Sequence, residues 1–214
     1  KCGIISIQDP ASAAVAELLK PLNGDIILDV CAAPGTKSLL MAQKVGVNGK
    51  ILASDKDLKR VEIGRSDMKR HKNKNIKWSV LDATKDKYPM AEKIFIDAPC
   101  TGTGVLGRRP DIKWRLKKKD IQFMRKIQIS ILNHMTNFLK IGGSIVYATC
   151  SLEHEENASV INEFLNKNKN FSIIPSNAFF PRDWVNSDGF LMTMPYETGS
   201  DGLFGAVLQK NENI

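Results

Sequence analysis

Ile26-Ile27-Leu28-Asp29-Val30-Cys31-Ala32-Ala33-Pro34-Gly35-Thr36-Lys37-Ser38 reads as a buried strand, a turn of small residues and the opening of a helix. Small residues let backbone approach a ligand closely, and the first N–H groups of a helix are unpaired donors that suit an anion. The GxGxxG dinucleotide fingerprint is absent, since Gly35 is the only glycine of the turn. A GxxxxGK[ST] phosphate loop is absent too: Thr36 separates Gly35 from Lys37, and position 30 is Val. A tight strand–helix turn with no ligand is the simpler alternative until the neighbouring strand ends are considered.

Outward from this unit, strand-like and helix-like stretches alternate along the 214 residues. Strands are predicted at 25–30, 50–54, 76–81, 93–97, 143–149, 171–174 and 204–209. Helices are predicted near 10–20, 36–46, 57–72, 118–140 and 154–168. This is the pattern of βαβ units: an α/β fold with a seven-stranded, mostly parallel sheet and helices on both faces. Asp9-Pro10 offers an N-cap acceptor followed by Pro in the first turn. Gly142-Gly143 is read as the stop of the 118–140 helix, feeding the fifth strand. Residues 175–203, with Pro175, Pro181 and Pro195, are read as a long connection into a closing strand.

Asp55 closes the second strand, 26 residues beyond Asp29, near the spacing of a ribose-binding acid. Asp82 closes the third and would accept a bond from an exocyclic amine. One such Asp often only caps the next helix. Asp29, Asp55 and Asp82 on three successive strands, beside a turn of small residues, point to an adenosine-type ligand.

Two further apolar runs end on a thiol: Ile94–Phe95–Ile96–Asp97–Ala98–Pro99–Cys100 and Ile145–Val146–Tyr147–Ala148–Thr149–Cys150–Ser151. In open α/β sheets ligands bind beyond the carboxyl ends of the strands. A free cysteine usually just packs, and Cys2 and Cys31 are read that way, with ligand contact through the Cys31 backbone left open. Two thiols at strand ends, one after Asp-x-Pro, suggest chemistry done by sulfur in a pair. Pro99 stiffens its turn, and Gly102 and Gly104 allow close backbone approach. A helix opening near residue 154 would lower the Cys150 pKa. Asp97 would receive the amine edge of a planar substrate.

Lys and Arg number 31 against 23 Asp and Glu, a formal +8, which favours a polyanion partner such as nucleic acid. Four cysteines with no CxxC and no Cys/His cluster argue against a metal site or disulfide framework and for a reducing, cytoplasmic setting. No apolar run approaches ~18 residues, so no membrane span is expected. The chain opens on Lys1 and is read as an excised domain from which any N-terminal RNA-binding region is missing; monomer is the default. In RRPDIKWRLKKK at 108–119, Arg108, Arg109, Lys113 and Arg115 would contact phosphates, while Trp114 is read as packed rather than stacked. The cluster 69–74 is read as structural, at a helix C-terminus that favours cations.

DVCAAPGTKS at 29–38, DAPCTGTG at 97–104 and YATCS at 147–151 resemble the S-adenosylmethionine-dependent RNA cytosine-C5 methyltransferases, most nearly the Sun/Fmu type that acts on bacterial small-subunit rRNA. IQDPAS at 7–12, RRPDIKWR at 108–115, EEN at 155–157 and SDGLF at 200–204 extend the likeness over almost the whole chain. The family usually has GGKT where Gly35–Thr36–Lys37–Ser38 stands, and DGFF where Asp201–Gly202–Leu203–Phe204 stands; neither departure removes a reacting group. The resemblance implies a Rossmann-like class I methyltransferase fold over residues 1–214. It also implies S-adenosylmethionine held by Cys31, Ala32, Ala33, Pro34, Gly35, Lys37, Asp55, Arg60, Asp82 and Asp97, and RNA, most nearly 16S rRNA, as substrate. It makes Cys150 the nucleophile and Cys100 the group that assists product release, with Asp97 on N3/N4 of the base. Lys37 would serve either the methionine carboxylate or the catalytic site.

The chemistry suits sulfur. C5 of cytosine is a poor nucleophile until a thiolate adds at C6 and makes C5 enamine-like. Nucleophile logic alone is satisfied by either thiol, and a resemblance of Pro99-Cys100 to the Pro-Cys of DNA cytosine-C5 methyltransferases would make Cys100 the nucleophile instead. A tRNA substrate, or an RNA-binding module without catalysis, are the alternatives; retention of Cys100, Cys150 and Asp97 speaks against the second.

Overall fold

The computed structural model describes residues 3, 5–176 and 180–212. Cys2 lies outside them, as do residues 177–179 of the expected long connection. The strands are β1 (Ile26–Val30), β2 (Lys50–Asp55), β3 (Ile76–Val80), β4 (Ala91–Asp97), β5 (Leu139–Thr149), β6 (Phe171–Ile174), β7 (Leu191–Thr193) and β8 (Leu203–Lys210). Seven of them run in the order β3-β2-β1-β4-β5-β8-β6, and β7 pairs with β8 off that path. β3, β2, β1, β4 and β5 are mutually parallel, while β8 runs antiparallel to β5, β6 and β7. This is a Rossmann-like sheet, with its topological switch point between β1 and β4.

The helices are α1 (Pro10–Glu17), α2 (Thr36–Val45), α3 (Leu58–Arg70), α4 (Ile112–Arg115), α5 (Lys118–Met135), α6 (Ala158–Lys167) and α7 (Pro195–Thr198). Central strands buried on both faces need apolar residues at consecutive positions. In β4, Ile94 and Ile96 join a core with Leu132 of α5 and Phe164 of α6, and Phe95 between them joins a second core with Val15 of α1 and Met41 of α2. Asp9 caps α1 as expected, accepting from the N–H groups of Ala11 at 2.9 Å and Ser12 at 3.4 Å.

Three expectations are corrected. The long helix ends at Met135, not near 140, and a 3-10 turn, Thr136–Phe138, follows it. Leu139 then opens β5, buried opposite Ala91, while Lys210 Nζ takes the carbonyls of Thr136 at 3.0 Å and Leu139 at 2.9 Å. Gly142-Gly143 is therefore no helix stop. It belongs to a bulge within β5, where the register jumps from Ala91–Leu139 to Lys93–Ser144. A Cβ on Gly143 would stand 2.7 Å from the Glu92 carbonyl, so the bulge must close on a residue without one. The 175–203 stretch also contains an eighth strand, the three-residue β7, and the short α7. No helix among the described residues is long and apolar enough to cross a membrane.

Candidate active site

The carboxyl ends of β3, β2, β1, β4 and β5 lie side by side, and each delivers one element of the site. Ala98 N–H donates to the Ala148 carbonyl at 2.8 Å, so the turns after β4 and β5 leave the sheet in step. Cys100 Sγ and Cys150 Sγ stand 3.1 Å apart, and the Cys150 N–H donates to Cys100 Sγ at 3.3 Å. The hydrogen bond with Cys100 holds the Cys150 thiol below its ordinary pKa, against the opposing effect of burial, and the Lys37 charge helps. The same bond, with burial, raises Cys100 well above its ordinary value. The pair is thus biased so that Cys150 gives up its proton more readily than Cys100.

Lys37, in the first turn of α2, reaches across the switch point to Asp97 Oδ2 at 2.8 Å. Burial works to lower the Lys37 pKa, but the Asp97 carboxylate outweighs it and the net shift is upward, so Lys37 stays cationic. Beneath it Asp29 is fully buried and accepts from Ser38 Oγ at 2.5 Å. Desolvation pushes the Asp29 carboxyl up to about 7, and its Oδ1 has no partner.

Cys31, Arg60, Asp97, Cys100, Arg109, Arg115 and Cys150 share one cavity of about 360 Å³. Burial pushes the Cys31 thiol far up, in keeping with a packed cysteine at a strained turn (φ 60°) and not a reacting one. Arg60 pairs with Asp55 at 3.0 Å and also donates to the Ala33 carbonyl, tying the cofactor-type turn to the end of β2. Ala32 and Ala33 are buried. Pro34 lines a separate hollow with Ile63 and Arg70 of α3, and the open side of Gly35 faces the Trp78 ring. Asp82 sits beyond β3, where the Thr84 hydroxyl (2.7 Å) and then its N–H (2.9 Å) hold its carboxyl below the usual range.

The basic stretch is only partly gathered. Arg109 and Arg115 flank the cavity and share Asp111, at 3.3 and 3.0 Å. Arg108 is drawn to Asp201, and Lys113 lies 5.4 Å over the Trp114 ring. Trp114 is 82% exposed, so the expectation that it packs is corrected: α4 has four residues and buries only Ile112. A second cavity of about 380 Å³ adjoins the first through Cys100, Thr101 and Arg115, with Phe123 on its wall.

Residue-by-residue reading missed Glu156, fully buried, on which Thr101, Ser151 and Gln128 converge. Its sequence signal is the EEN motif at 155–157. Among the described residues no group of three or more His, Cys, Asp or Glu is placed to hold a metal ion.

An S-adenosylmethionine-dependent O-methyltransferase from Thermotoga maritima matches with a TM-score of 0.60 over 98% of this chain and 69% of its own, at 15% identity, a likeness of fold alone. The fold is that of the Rossmann-like methyltransferases. Within that class the model of the 16S rRNA methyltransferase RsmB/F family matches residues 16–209, and the chain belongs to that family. The probable ribosomal RNA small subunit methyltransferase B of Bacillus subtilis is 33% identical over 97% of this chain and 48% of that protein. NSun6 from Pyrococcus horikoshii, solved with SFG, matches with a TM-score of 0.89 at 30% identity, over 99% of this chain and 54% of that one. The chain spans about half the length of the curated relatives it matches.

Proposed function

We propose that these 214 residues form the catalytic domain of an S-adenosylmethionine-dependent RNA cytosine-C5 methyltransferase acting on 16S rRNA through a transient Cys150–C6 bond. The observation that carries this is the thiol pair, 3.1 Å apart at adjacent strand ends, with opposite pKa shifts. Membership of a family described by its 16S rRNA activity supports the substrate.

The residues present fit the cofactor. The N-terminus of α2 carries no side-chain cap, which leaves N–H donors for a carboxylate. Asp29 Oδ1 is a buried acceptor without a donor, which suits an ammonium group. Asp55, held by Arg60, stands where a ribose-binding acid belongs. When bound, S-adenosylmethionine supplies an electrophilic methyl group on a sulfonium.

The chain's own groups do the rest. Cys150 adds as thiolate to C6 and the electron pair moves into the ring, making C5 the nucleophile. Asp97, oriented by Lys37, holds N3/N4 of the base and stabilises the charged adduct. Once C5 is methylated its proton passes to water, the C5–H electron pair forms the C5–C6 double bond, and the C6–sulfur bond breaks to return Cys150 as thiolate, with Cys100 assisting release. A cytosine attacked at C6 must be unpaired or swung out of its stack. Arg109 and Arg115 at the cavity mouth suit its flanking phosphates.

The test is methyl transfer from radiolabelled S-adenosylmethionine to 16S rRNA, with tRNA in parallel. Cys150→Ala is expected to abolish transfer, and Cys100→Ala to accumulate a covalent RNA–protein adduct on denaturing gels. An adduct in Cys150→Ala instead would reverse the roles of the thiols, and full transfer with both thiols removed would end the proposal.

A further inference from the structure

Glu156 ends the 3-10 turn His154–Glu156, and its carboxylate collects donors from three parts of the chain. Thr101 donates its N–H at 3.0 Å and its hydroxyl at 2.5 Å; Ser151 donates its hydroxyl at 2.5 Å; Gln128 of α5 donates Nε2 at 3.0 Å. Gln128 Nε2 also bonds the Pro99 carbonyl at 2.9 Å. Thr101 directly follows Cys100, and Ser151 directly follows Cys150. One buried acceptor therefore grips both thiol-bearing turns at the residue next to the sulfur. Glu156 is itself anchored through its backbone carbonyl, which accepts from Tyr147 OH of β5 at 2.6 Å. It does not line the reaction cavity, so it acts through its neighbours.

We infer that Glu156 is a positioning residue: it fixes the separation of Cys100 and Cys150, and its negative charge keeps the proton of the pair on Cys100 and the thiolate on Cys150. A buried carboxylate is costly unless every lone pair is used, and here all the donors but Gln128 come from the two turns that must stay in register. A negative charge beside Cys100 also disfavours a second anion there; it is among the causes that raise the Cys100 pKa. The inference rests on the reading of Cys150 as nucleophile.

The test needs neither RNA nor methyl donor. The chain is alkylated with iodoacetamide over a series of pH values, and modification of Cys100 and Cys150 is quantified by peptide mass spectrometry. In the wild-type chain Cys150 is expected to react first. In Glu156→Gln the Cys150-to-Cys100 ratio is expected to fall about tenfold, the effect of one pKa unit, as the Cys100 limb moves to lower pH. A folded Glu156→Gln with the wild-type ratio overturns the inference. Where Glu156→Gln does not fold, Thr101→Val decides, because it keeps the charge and cuts one tether. An upward shift of the Cys150 limb supports the clamp, and a wild-type limb overturns it. A wild-type chain in which Cys150 reacts first but which transfers no methyl group would sink the functional reading and leave the clamp standing. Cys100 reacting first would overturn the clamp's assignment of the proton.

Discussion

Lys37 decides the electrostatics at the scale of single residues. It bonds Asp97 at 2.8 Å, remains cationic despite burial, and its charge helps lower the Cys150 pKa. Lys37→Met is expected to move the alkaline limb of Cys150 alkylation to higher pH and to slow methyl transfer on the order of 10²-fold or more; an unchanged limb would separate the lysine from the thiol. Asp29 makes a different statement, about stability. Its folded pKa, raised mainly by desolvation, is about 7 against 3.8 for the ordinary group. Between those values the folded chain holds a proton that the unfolded chain has released, so this group's contribution favours folding less as pH rises from about 4 to about 7 and is flat beyond. Three units correspond to a loss on the order of 4 kcal/mol. Asp29→Asn, whose amide does not ionise, is expected to flatten this part of the urea midpoint's dependence on pH. Equal slopes in the two proteins would show that Asp29 is already ionised in the folded state at low pH.

Between elements, the turn after β4 is held by backbone against backbone. Gly104 N–H donates to the Cys150 carbonyl at 3.0 Å, and Gly202 N–H donates to the Gly104 carbonyl at 2.8 Å. A Cβ on Gly104 would stand 1.9 Å from the Gly202 carbonyl oxygen, which no side-chain adjustment relieves. Gly104→Ala is expected to destabilise the fold by about 1–3 kcal/mol in urea unfolding and to shift the Cys150 turn. Gly107→Ala, where a Cβ meets nothing within 4 Å, is the control and should stay within about 0.5 kcal/mol. The same elements show what the sequence made legible. Doubly buried strands announce themselves as unbroken apolar runs, so β1, β4 and the end of β5 were readable, as were the thiols that follow two of them. Gly142-Gly143 misled because a glycine pair looks alike as a helix stop and as a strand bulge; only the register against β4 separates them. The three residues of β7 carry too little pattern to stand out from a loop. Trp114 is exposed because its helix is too short to have a buried face, a fact of length and not of residue type. Glu156 was unreadable as a clamp because its donors lie 5, 28 and 55 positions away in the chain.

At the scale of the whole molecule, the sheet order sorts charge as well as thiols. The chain carries a net +8, yet only Arg109 and Arg115 of the basic stretch, with Arg60 from α3, line the reaction cavity. Arg109 and Arg115 converge on Asp111, a half-exposed carboxylate that holds them side by side without burying them. A phosphate entering there displaces counterions from both, so binding should weaken linearly in log salt, with each neutralised phosphate of a single strand contributing about 0.7 to the slope. Arg109→Gln and Arg115→Gln are each expected to weaken RNA binding across sequences and to reduce that slope by about one contact. Lys140→Gln, which removes a cation paired with Glu92 at 3.1 Å near the start of β4, should leave the slope unchanged. Fluorescence anisotropy with a labelled single strand over a salt series separates the two outcomes. Equal slopes in all four proteins would move the RNA path off the Arg109–Arg115 face, whereas a lower slope in the arginine variants alone would bring the phosphates to the mouth of the cavity where Cys100 and Cys150 face each other.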